Sequence, residues 1–259
     1  MLELKEIKKF YPEPLQKFTK FLLREYLQVK ILQIIYKSRW AGSLRFMGGT
    51  CLRIIHENQR FSEDLDFDNI NLSEDDFGNI SRYIEKELKR EGYEPEMKTV
   101  MRGAWHCYIR FPKLLYESGL SGHAEEKILI QIDTEKQQHE YNPERIILNK
   151  FEIFTTVITV PLPVILSQKF FAIFNRQRIM GRDFFDVVFL LGRKVSPDWN
   201  YLNMKTGVSN WDSLKEELLK VCEKSDMTAA ARDVEPFLFS RDGRQKVLGF
   251  EEYIRGVSL

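Results

Sequence analysis

The chain reads Met47-Gly48-Gly49-Thr50 at the end of one predicted strand and Phe61-Ser-Glu-Asp-Leu-Asp-Phe-Asp68 in the next. Side chains alternate between the two faces of a β-strand, so Asp64 and Asp66 are expected to project from the same face of this extended segment. Aspartate is a poor strand former, and like charges on one face repel each other. A local conflict of this kind is typical of a functional site.

A divalent cation would resolve the conflict, because Mg²⁺ binds one or two protein carboxylates together with phosphate oxygens of a substrate. The pair Gly48-Gly49 predicts a turn whose backbone N–H groups can approach a phosphate closely. Thr50 is expected to cap the short helix that follows. Asp68, at the end of its strand, is expected to be solvated. Together these features predict a metal-dependent site for phosphoryl or nucleotidyl transfer, with Mg²⁺ or Mn²⁺ as the cofactor.

The composition is that of an ordinary globular protein, with 43% hydrophobic residues, 30% charged residues and a net charge of +1. A nucleic-acid partner would therefore need a local basic patch, since the chain carries no global positive charge. The three cysteines form no CxxC pair, which argues against a zinc site and favours a reducing compartment. No apolar run approaches the roughly 20 residues of a membrane span. We expect a cytoplasmic protein without a signal peptide or a membrane partner.

Hydrophobic periodicity predicts mixed α/β structure up to about residue 160 and an almost entirely helical region after it. The expected strands are 44–47, 65–70, 96–101, 105–111, 127–135 and 151–160. The expected helices are 13–36, 51–55, 73–90, 165–178, 183–191, 211–220 and 244–254, and the tract 199–210 is expected to be a loop. We therefore predict an α+β fold with a small mixed sheet and flanking helices, divided into an α/β domain (residues 1–160) and a helical C-terminal domain (residues 161–259).

Asp133 ends a predicted strand, Ile128-Leu-Ile-Gln-Ile-Asp133. If this strand is a neighbour of the strand 65–70, the Asp133 carboxylate can complete the cation site as a third acid, acting as a ligand or as a general base. An aspartate at the end of a strand is otherwise unremarkable, so the assignment depends on how the strands pair.

A second cluster of charged residues lies in the predicted helical region. Lys169 and Arg176 are seven residues apart and share one helix face, an arrangement that suits a triphosphate. Asp183 and Asp186 open the next helix on a shared face. The alternative is structural: Asp183 caps that helix, and Arg176 or Arg182 pairs with Asp186.

Three further side chains near the glycine turn are candidates for nucleotide binding. Arg53 and Arg60 can contact phosphates, or they can neutralise Glu57 and Glu63 instead. Ser62, two residues before the first acid, can bind phosphate or simply end a turn. The four histidines show no metal-ligand spacing, and they are expected to be ordinary surface or core residues and not metal ligands or nucleophiles.

Three motifs, in this order, resemble those of the AbiEii/AbiGii nucleotidyltransferase toxins of the polymerase-β-like nucleotidyltransferase superfamily. The motifs are Phe46-Met-Gly-Gly-Thr-Cys-Leu-Arg53, then Arg60-Phe-Ser-Glu-Asp-Leu-Asp-Phe67, then Lys169-x-x-Ala172-x-x-x-Arg176 with Arg182-Asp183-x-x-Asp186. Toxins of this family act in bacterial toxin–antitoxin and abortive-infection systems. The resemblance implies a nucleotidyltransferase fold with a helical C-terminal region.

The resemblance also implies a role for each residue that matches a motif. The phosphate loop would be Gly49 and Thr50, the metal ligands Asp64 and Asp66, the triphosphate ligand Lys169, and the catalytic carboxylate Asp183. The implied substrates are an NTP and an RNA acceptor such as the 3′ end of tRNA, and the implied partner is a cognate antitoxin. Two alternatives stay open: transfer to a small molecule or a protein side chain, and a non-catalytic module that binds a partner.

Overall fold

The computed structural model describes residues 2–257 of the 259-residue chain, which form two compact units. One unit comprises the residues up to Glu57 together with Ser62–Thr159, and the other comprises Asn58–Phe61 together with the residues from Val160 onward. The segment Asn58–Phe61 therefore belongs to the second unit, although the residues on both sides of it in the sequence belong to the first.

One mixed β-sheet organises the first unit. Its strands are β1 (Leu44–Met47), β2 (Leu65–Asn69), β3 (Glu96–Arg102), β4 (Ala104–Phe111), β5 (Ile128–Glu135), β6 (Glu144–Lys150) and β7 (Ile153–Thr159). The strand order is β3-β4-β5-β2-β1-β7-β6. The pairs β2–β5 and β1–β7 are parallel and the other neighbours are antiparallel, so the predicted mixed sheet is confirmed.

Helices pack against this sheet. The first unit contains α1 (Leu4–Lys8), α2 (Thr19–Lys37), α3 (Gly48–Ile54), α4 (Glu74–Arg90) and α5 (Leu114–Glu117). Helix α2 packs against β7 and helix α4 against β3. The alternate residues Leu65 and Phe67 of β2 and Ile130 and Ile132 of β5 are buried on one face of the sheet. The intervening residues of these strands are mostly polar, and they form the opposite face of the sheet.

The second unit is helical, as predicted for this part of the chain. Its helices are α6 (Leu162–Asn175), α7 (Gly181–Gly192), α8 (Trp199–Thr206), α9 (Trp211–Lys224), α10 (Met227–Val234), α11 (Gln245–Leu248) and α12 (Phe250–Gly256). The segment Asn58–Phe61 is attached by backbone contacts. The Phe61 N–H donates to the Phe237 carbonyl at 2.8 Å, and Arg60 forms an isolated β-bridge with Leu238.

Three predictions of local structure are wrong. The tract 199–210 begins with helix α8, because the Asp198 side chain accepts a hydrogen bond from the Tyr201 N–H at 2.9 Å and Gly207 ends the helix at φ +77°. Strand β6 has no counterpart among the expected strands. Thr50 does not cap α3, since the helix already begins at Gly48.

Within residues 2–257, none of the helices combines the length and the hydropathy that crossing a bilayer requires.

Candidate functional site

Strand pairing places Asp66 beside Asp133 in the first unit. The parallel strands β2 and β5 align these two residues as register partners, and β4 aligns His106 with Asp133 on the other side. Register partners in neighbouring strands project from the same face of a sheet. The condition attached to the Asp133 prediction, that its strand be a neighbour of the one that carries Asp66, is therefore met.

The Asp133 carboxylate is held by two neighbours on that face. Its Oδ1 atom lies 2.6 Å from His106 Nδ1, and Gln131 Nε2 donates to both carboxylate oxygens at 2.7 and 3.0 Å. The Asp133 side chain is still 27% exposed. These contacts fix the orientation of the carboxylate while leaving part of it accessible.

The glycine turn lies directly against the other acid of this pair. Gly48 adopts φ +76°, a conformation that L-residues rarely adopt. A Cβ atom on Gly48 would lie 2.8 Å from Asp66 Cγ and closer still to Asp66 Oδ2. Both the backbone angle and the close approach thus require glycine at position 48, and the structure brings the turn and the Asp66 carboxylate together.

Asp64 lies immediately before β2, which begins at Leu65, and it is half-buried. The Thr50 side chain is fully buried, and its hydroxyl donates a hydrogen bond to the Asp64 carbonyl oxygen. The structure thus gives Thr50 an anchoring role, since it ties helix α3 to the backbone of the first acid. Phosphate binding by Thr50 and by Gly49, which is also buried, stays a prediction.

A second anchor comes from helix α2. Gln28 is 1% exposed, and its Nε2 donates to the carbonyl oxygens of Ser62 at 3.1 Å and Glu63 at 2.8 Å. The Glu63 carboxylate is paired with Arg24 at 2.6 Å. The segment that leads to the two acids is therefore fixed from both sides. Ser62 contributes its carbonyl to this anchor, and phosphate binding by its hydroxyl stays a prediction.

Arg53 lies in a buried ionic cluster around Glu25, a residue that the sequence analysis does not consider. Its Nε is 2.8 Å from Glu25 Oε2, and Lys150 Nζ and the Tyr11 hydroxyl lie 2.5 and 2.9 Å from Glu25 Oε1. Burial alone would raise the pKa of Glu25, but the charges of Lys150 and Arg53 outweigh it and lower the pKa. Arg53 thus neutralises Glu25, and nucleotide binding by Arg53 stays a prediction.

Asp68 is buried, so the expectation that it is solvated is wrong. It is 1% exposed, and it accepts hydrogen bonds from the Tyr141 hydroxyl at 2.5 Å and the Gln137 N–H at 3.0 Å. Burial raises the pKa of the Asp68 carboxyl, although the hydrogen bond from Tyr141 partly opposes this shift.

In the second unit, Asp186 forms a fully buried ion pair. Arg60 donates to both of its oxygens, from Nε at 2.7 Å and from Nη2 at 2.6 Å, and Asn58 Nδ2 and Lys169 Nζ lie 2.8 and 2.9 Å away. Burial alone would raise the pKa of Asp186, but Arg60 and Lys169 outweigh it and lower the pKa. The structural alternative predicted that Asp186 pairs with Arg176 or Arg182. Asp186 does form a structural ion pair, but the arginine in it is Arg60.

Asp183 belongs to the same buried network. It is 3% exposed and lies 2.9 Å from Lys169 Nζ and 3.0 Å from Arg176 Nε. Burial alone would lower the pKa of Lys169, but Asp183 and Asp186 outweigh it and raise the pKa. Asp183 does not cap α7, where Met180 occupies the N-cap position. The predicted catalytic role of Asp183 and the predicted triphosphate role of Lys169 and Arg176 stay predictions.

No group of three or more His, Cys, Asp or Glu side chains within residues 2–257 is placed so that it could hold a metal ion. The predicted ligand set of Asp64, Asp66 and Asp133 is thus not assembled as a ready-made centre. The donors still fit Mg²⁺ or Mn²⁺, because these cations prefer carboxylate oxygens and accept one or two of them when substrate phosphates supply other ligands. The register pairing of Asp66 with Asp133 provides such oxygens on one face.

The fold of this chain is similar to that of two solved structures. The crystal structure of JHP933 from Helicobacter pylori matches it with a TM-score of 0.55 at 16% sequence identity, over 91% of this chain and 90% of that chain. A second H. pylori crystal structure, of a protein whose assignment as a nucleotidyltransferase is provisional, matches with a TM-score of 0.55 at 16% identity, over 90% and 92% of the two chains. At this identity the likeness shows the fold alone. No curated protein sequence matches the chain.

The chain belongs to the AbiEii family. The family model described as "Nucleotidyl transferase AbiEii toxin, Type IV TA system" matches residues 30–242. This match confirms the resemblance seen in the three sequence motifs. Membership identifies the chain as a nucleotidyl transferase toxin of a type IV toxin–antitoxin system, and it implies an antitoxin as partner.

Proposed function

We propose that the protein is a metal-dependent enzyme that moves a nucleotide from an NTP to an RNA acceptor, the 3′ end of tRNA, and thereby inhibits translation. The observation that carries this proposal is the position of Asp66, which pairs in register with Asp133 and lies against the Gly48 turn. Two carboxylates can hold a divalent cation, and the N–H groups of the adjacent glycine turn can bind phosphate, so together they suit a bound NTP. The NTP and the RNA acceptor come from the family resemblance.

The residues of the first unit would have separate roles in binding the cation and the phosphates. Asp64 and Asp66 would hold the cation together with phosphate oxygens of the NTP, and the backbone N–H groups of Gly48 and Gly49 would bind phosphate. When bound, the cation would reduce the negative charge that opposes attack on the α-phosphorus. The anchoring hydrogen bond from Thr50 would keep Asp64 in place during the reaction.

Asp133 would orient the acceptor hydroxyl or accept its proton, while the hydroxyl oxygen bonds to the α-phosphorus and pyrophosphate leaves. His106 and Gln131 would act as positioning residues, because their contacts fix the direction in which the carboxylate points. An arrangement of this kind accelerates transfer mainly by positioning the reactants and by electrostatic stabilisation, as in phosphoryl transfer generally.

For the second unit we keep the roles that the family resemblance assigns, Lys169 for the triphosphate and Asp183 as the catalytic carboxylate. Arg176 joins Lys169 because the two residues share one helix face in the sequence prediction. The exposure of Arg176 supports a phosphate role, since its side chain is 48% exposed although it also contacts Asp183. Lys169 is held by Asp183 and Asp186, so its triphosphate role rests on the family resemblance. Arg53 is left out of this assignment because its guanidinium neutralises the buried Glu25.

The test is a labelling experiment with the full chain. Each of the four α-labelled NTPs is incubated with the protein, Mg²⁺ or Mn²⁺, and separate pools of total RNA, protein and small molecules. We expect label in the RNA pool with the wild-type chain, and no label with Asp64→Ala or Asp66→Ala. Asp75→Ala, which removes an exposed acid of helix α4, is the matched control and should label RNA like the wild type.

Each possible outcome bears on a different part of the proposal. Wild-type labelling by Asp66→Ala would refute the assignment of the site, and the absence of label in every pool would refute the enzymatic function. Label confined to the protein or the small-molecule pool would refute the RNA acceptor while leaving nucleotidyl transfer in place.

A further inference from the structure

A polar cavity of about 940 Å³ lies in the first unit, on the same sheet face as Asp66. It is lined by the ends of β1 and β2, through Arg45 and Asp68, and by residues of the loop that follows β5. Its volume falls within the range of small-molecule sites, roughly 300–1,000 Å³.

The cavity wall is held in place by specific contacts. The hydroxyl of Tyr141 donates to the buried Asp68 carboxylate at 2.5 Å, and the Arg45 guanidinium lies 4.9 Å from the centroid of the Tyr141 ring. The Gln137 N–H adds a second hydrogen bond to Asp68 at 3.0 Å. The loop is thus fastened to the sheet at two points, and the Tyr141 ring has a fixed position in the wall.

The position of the cavity relates it to the proposed transfer site. Asp68 follows Asp66 by two residues in β2, so both project from the same face and lie about 7 Å apart along the strand. Arg45 is the register partner of Asp68, just as Met47 is the register partner of Asp66. A ligand in the cavity would therefore be a direct neighbour of the Asp66–Asp133 pair.

The lining groups have the chemistry of a nucleoside site. Tyr141 offers an aromatic ring for stacking a base, and the amides of Asn71 and Asn142 offer the paired donors and acceptors that base edges and ribose hydroxyls require. Arg45 and Lys136 supply positive charge for an adjoining phosphate. This mixture does not suit an apolar ligand.

We propose that this cavity binds a ribonucleoside, either that of the NTP donor or the terminal nucleoside of the RNA acceptor. This inference rests on the proposed function, because it assigns a substrate subsite next to the transfer site. Tyr141 would stack on the base, and Lys136 would contact the phosphate that links it to the transfer site.

The first experiment measures binding without catalysis. Titrations of the full chain with AMP, GMP, CMP, UMP and a short single-stranded RNA are followed by ligand-observed NMR. We expect binding of at least one probe, weakened about tenfold by Tyr141→Ala, as expected for the loss of one stacked base. Tyr141→Phe should retain most of the affinity. Tyr116→Ala is the matched control, since Tyr116 is 54% exposed and lies outside the cavity.

Because Tyr141→Ala also leaves the buried Asp68 without one hydrogen bond, a second variant keeps the test valid if that chain unfolds. Lys136 is exposed, so Lys136→Ala should fold normally and should weaken the binding of the nucleotides and the RNA several-fold. Wild-type affinity of a folded Tyr141→Ala would overturn the inference, and if that variant does not fold, wild-type affinity of Lys136→Ala alone would overturn it. So would the failure of every probe to bind the wild-type chain at millimolar concentration.

The second experiment separates donor from acceptor. A KM raised by Lys136→Ala only for the NTP would identify the donor nucleoside, and a KM raised only for RNA would identify the acceptor nucleoside. An unchanged KM for both would overturn the inference. Failure of the proposed function gives a different result: the wild-type chain would bind the probes with the same dependence on Tyr141 and Lys136 but would transfer no label.

Discussion

Replacing Gly48 with alanine should damage both the stability and the activity of the protein. An L-residue in the left-handed region costs roughly 1–2 kcal/mol, and Gly48 has φ +76°. The new Cβ would also lie 2.8 Å from Asp66 Cγ, so the carboxylate must move. An overpacked side chain typically costs roughly 1–3 kcal/mol more. The expected loss is thus roughly 2–5 kcal/mol, or a fall in Tm on the order of 10 °C for a protein of this size.

The matched control is Gly103→Ala in the hairpin between β3 and β4. Gly103 has φ +68°, but nothing lies within 4 Å of the Cβ that would be added. This variant therefore carries the backbone cost alone. Thermal unfolding and nucleotidyl transfer are measured for both variants, and Gly48→Ala should be the less stable and should lose transfer. Equal stability and equal activity of the two variants would refute the contact between the turn and Asp66.

Two further predictions concern the buried pair in the second unit. Arg60→Leu should destabilise the protein by roughly 3–5 kcal/mol in urea unfolding, since it leaves the Asp186 charge buried without its main counter-ion. Arg178→Leu, which removes an exposed pair with Asp233, should change the unfolding free energy little, and equal losses would contradict the argument. The lowered pKa of Asp186 contributes stability that is complete above its unfolded value of about 3.9 and is lost as the pH falls through the folded value. Thermal unfolding between pH 5 and 2 should therefore show a steeper acid loss in the wild type than in Asp186→Asn, and identical slopes would exclude this contribution.

The centre of the sheet could be predicted because local sequence and tertiary context agree there. The run that ends in Asp68 alternates acids with Leu65 and Phe67, and only a half-buried strand satisfies that pattern. The start of helix α4 could be predicted because Ser73 and Asp76 form a capping box there.

Long-range polar partners could not be predicted. Arg60 and its partner Asp186 are 126 positions apart in the sequence, and no spacing rule connects the two residues. Glu25 and Gln28 did leave a signal, because two polar residues three positions apart interrupt an otherwise apolar helix face. Polar side chains of this kind are buried only when they have bonding partners. Here Glu25 pairs with Arg53, and Gln28 donates a hydrogen bond to the backbone before β2.

The remaining errors have local causes. Helix α8 was not predicted because it is only eight residues long, although Asp198 and Gly207 are ordinary start and stop signals of a helix. Strand β6 is the edge of the sheet, and most of its side chains are exposed, so it lacks the hydrophobic alternation that reveals an inner strand.

The membership of Asn58–Phe61 in the second unit has a consequence for synthesis on the ribosome. These four residues emerge about a hundred positions before the helices that they join. Without Arg60, the ion-pair partner left to Asp186 in the helical unit is Lys169, which Asp183 shares. A fragment that starts at Val160 would contain the aspartate but not its arginine. Cutting the gene before Val160 would therefore separate the Asp186 carboxylate from the Arg60 guanidinium. The two parts of the chain should be expressed together and not recombined as independent modules.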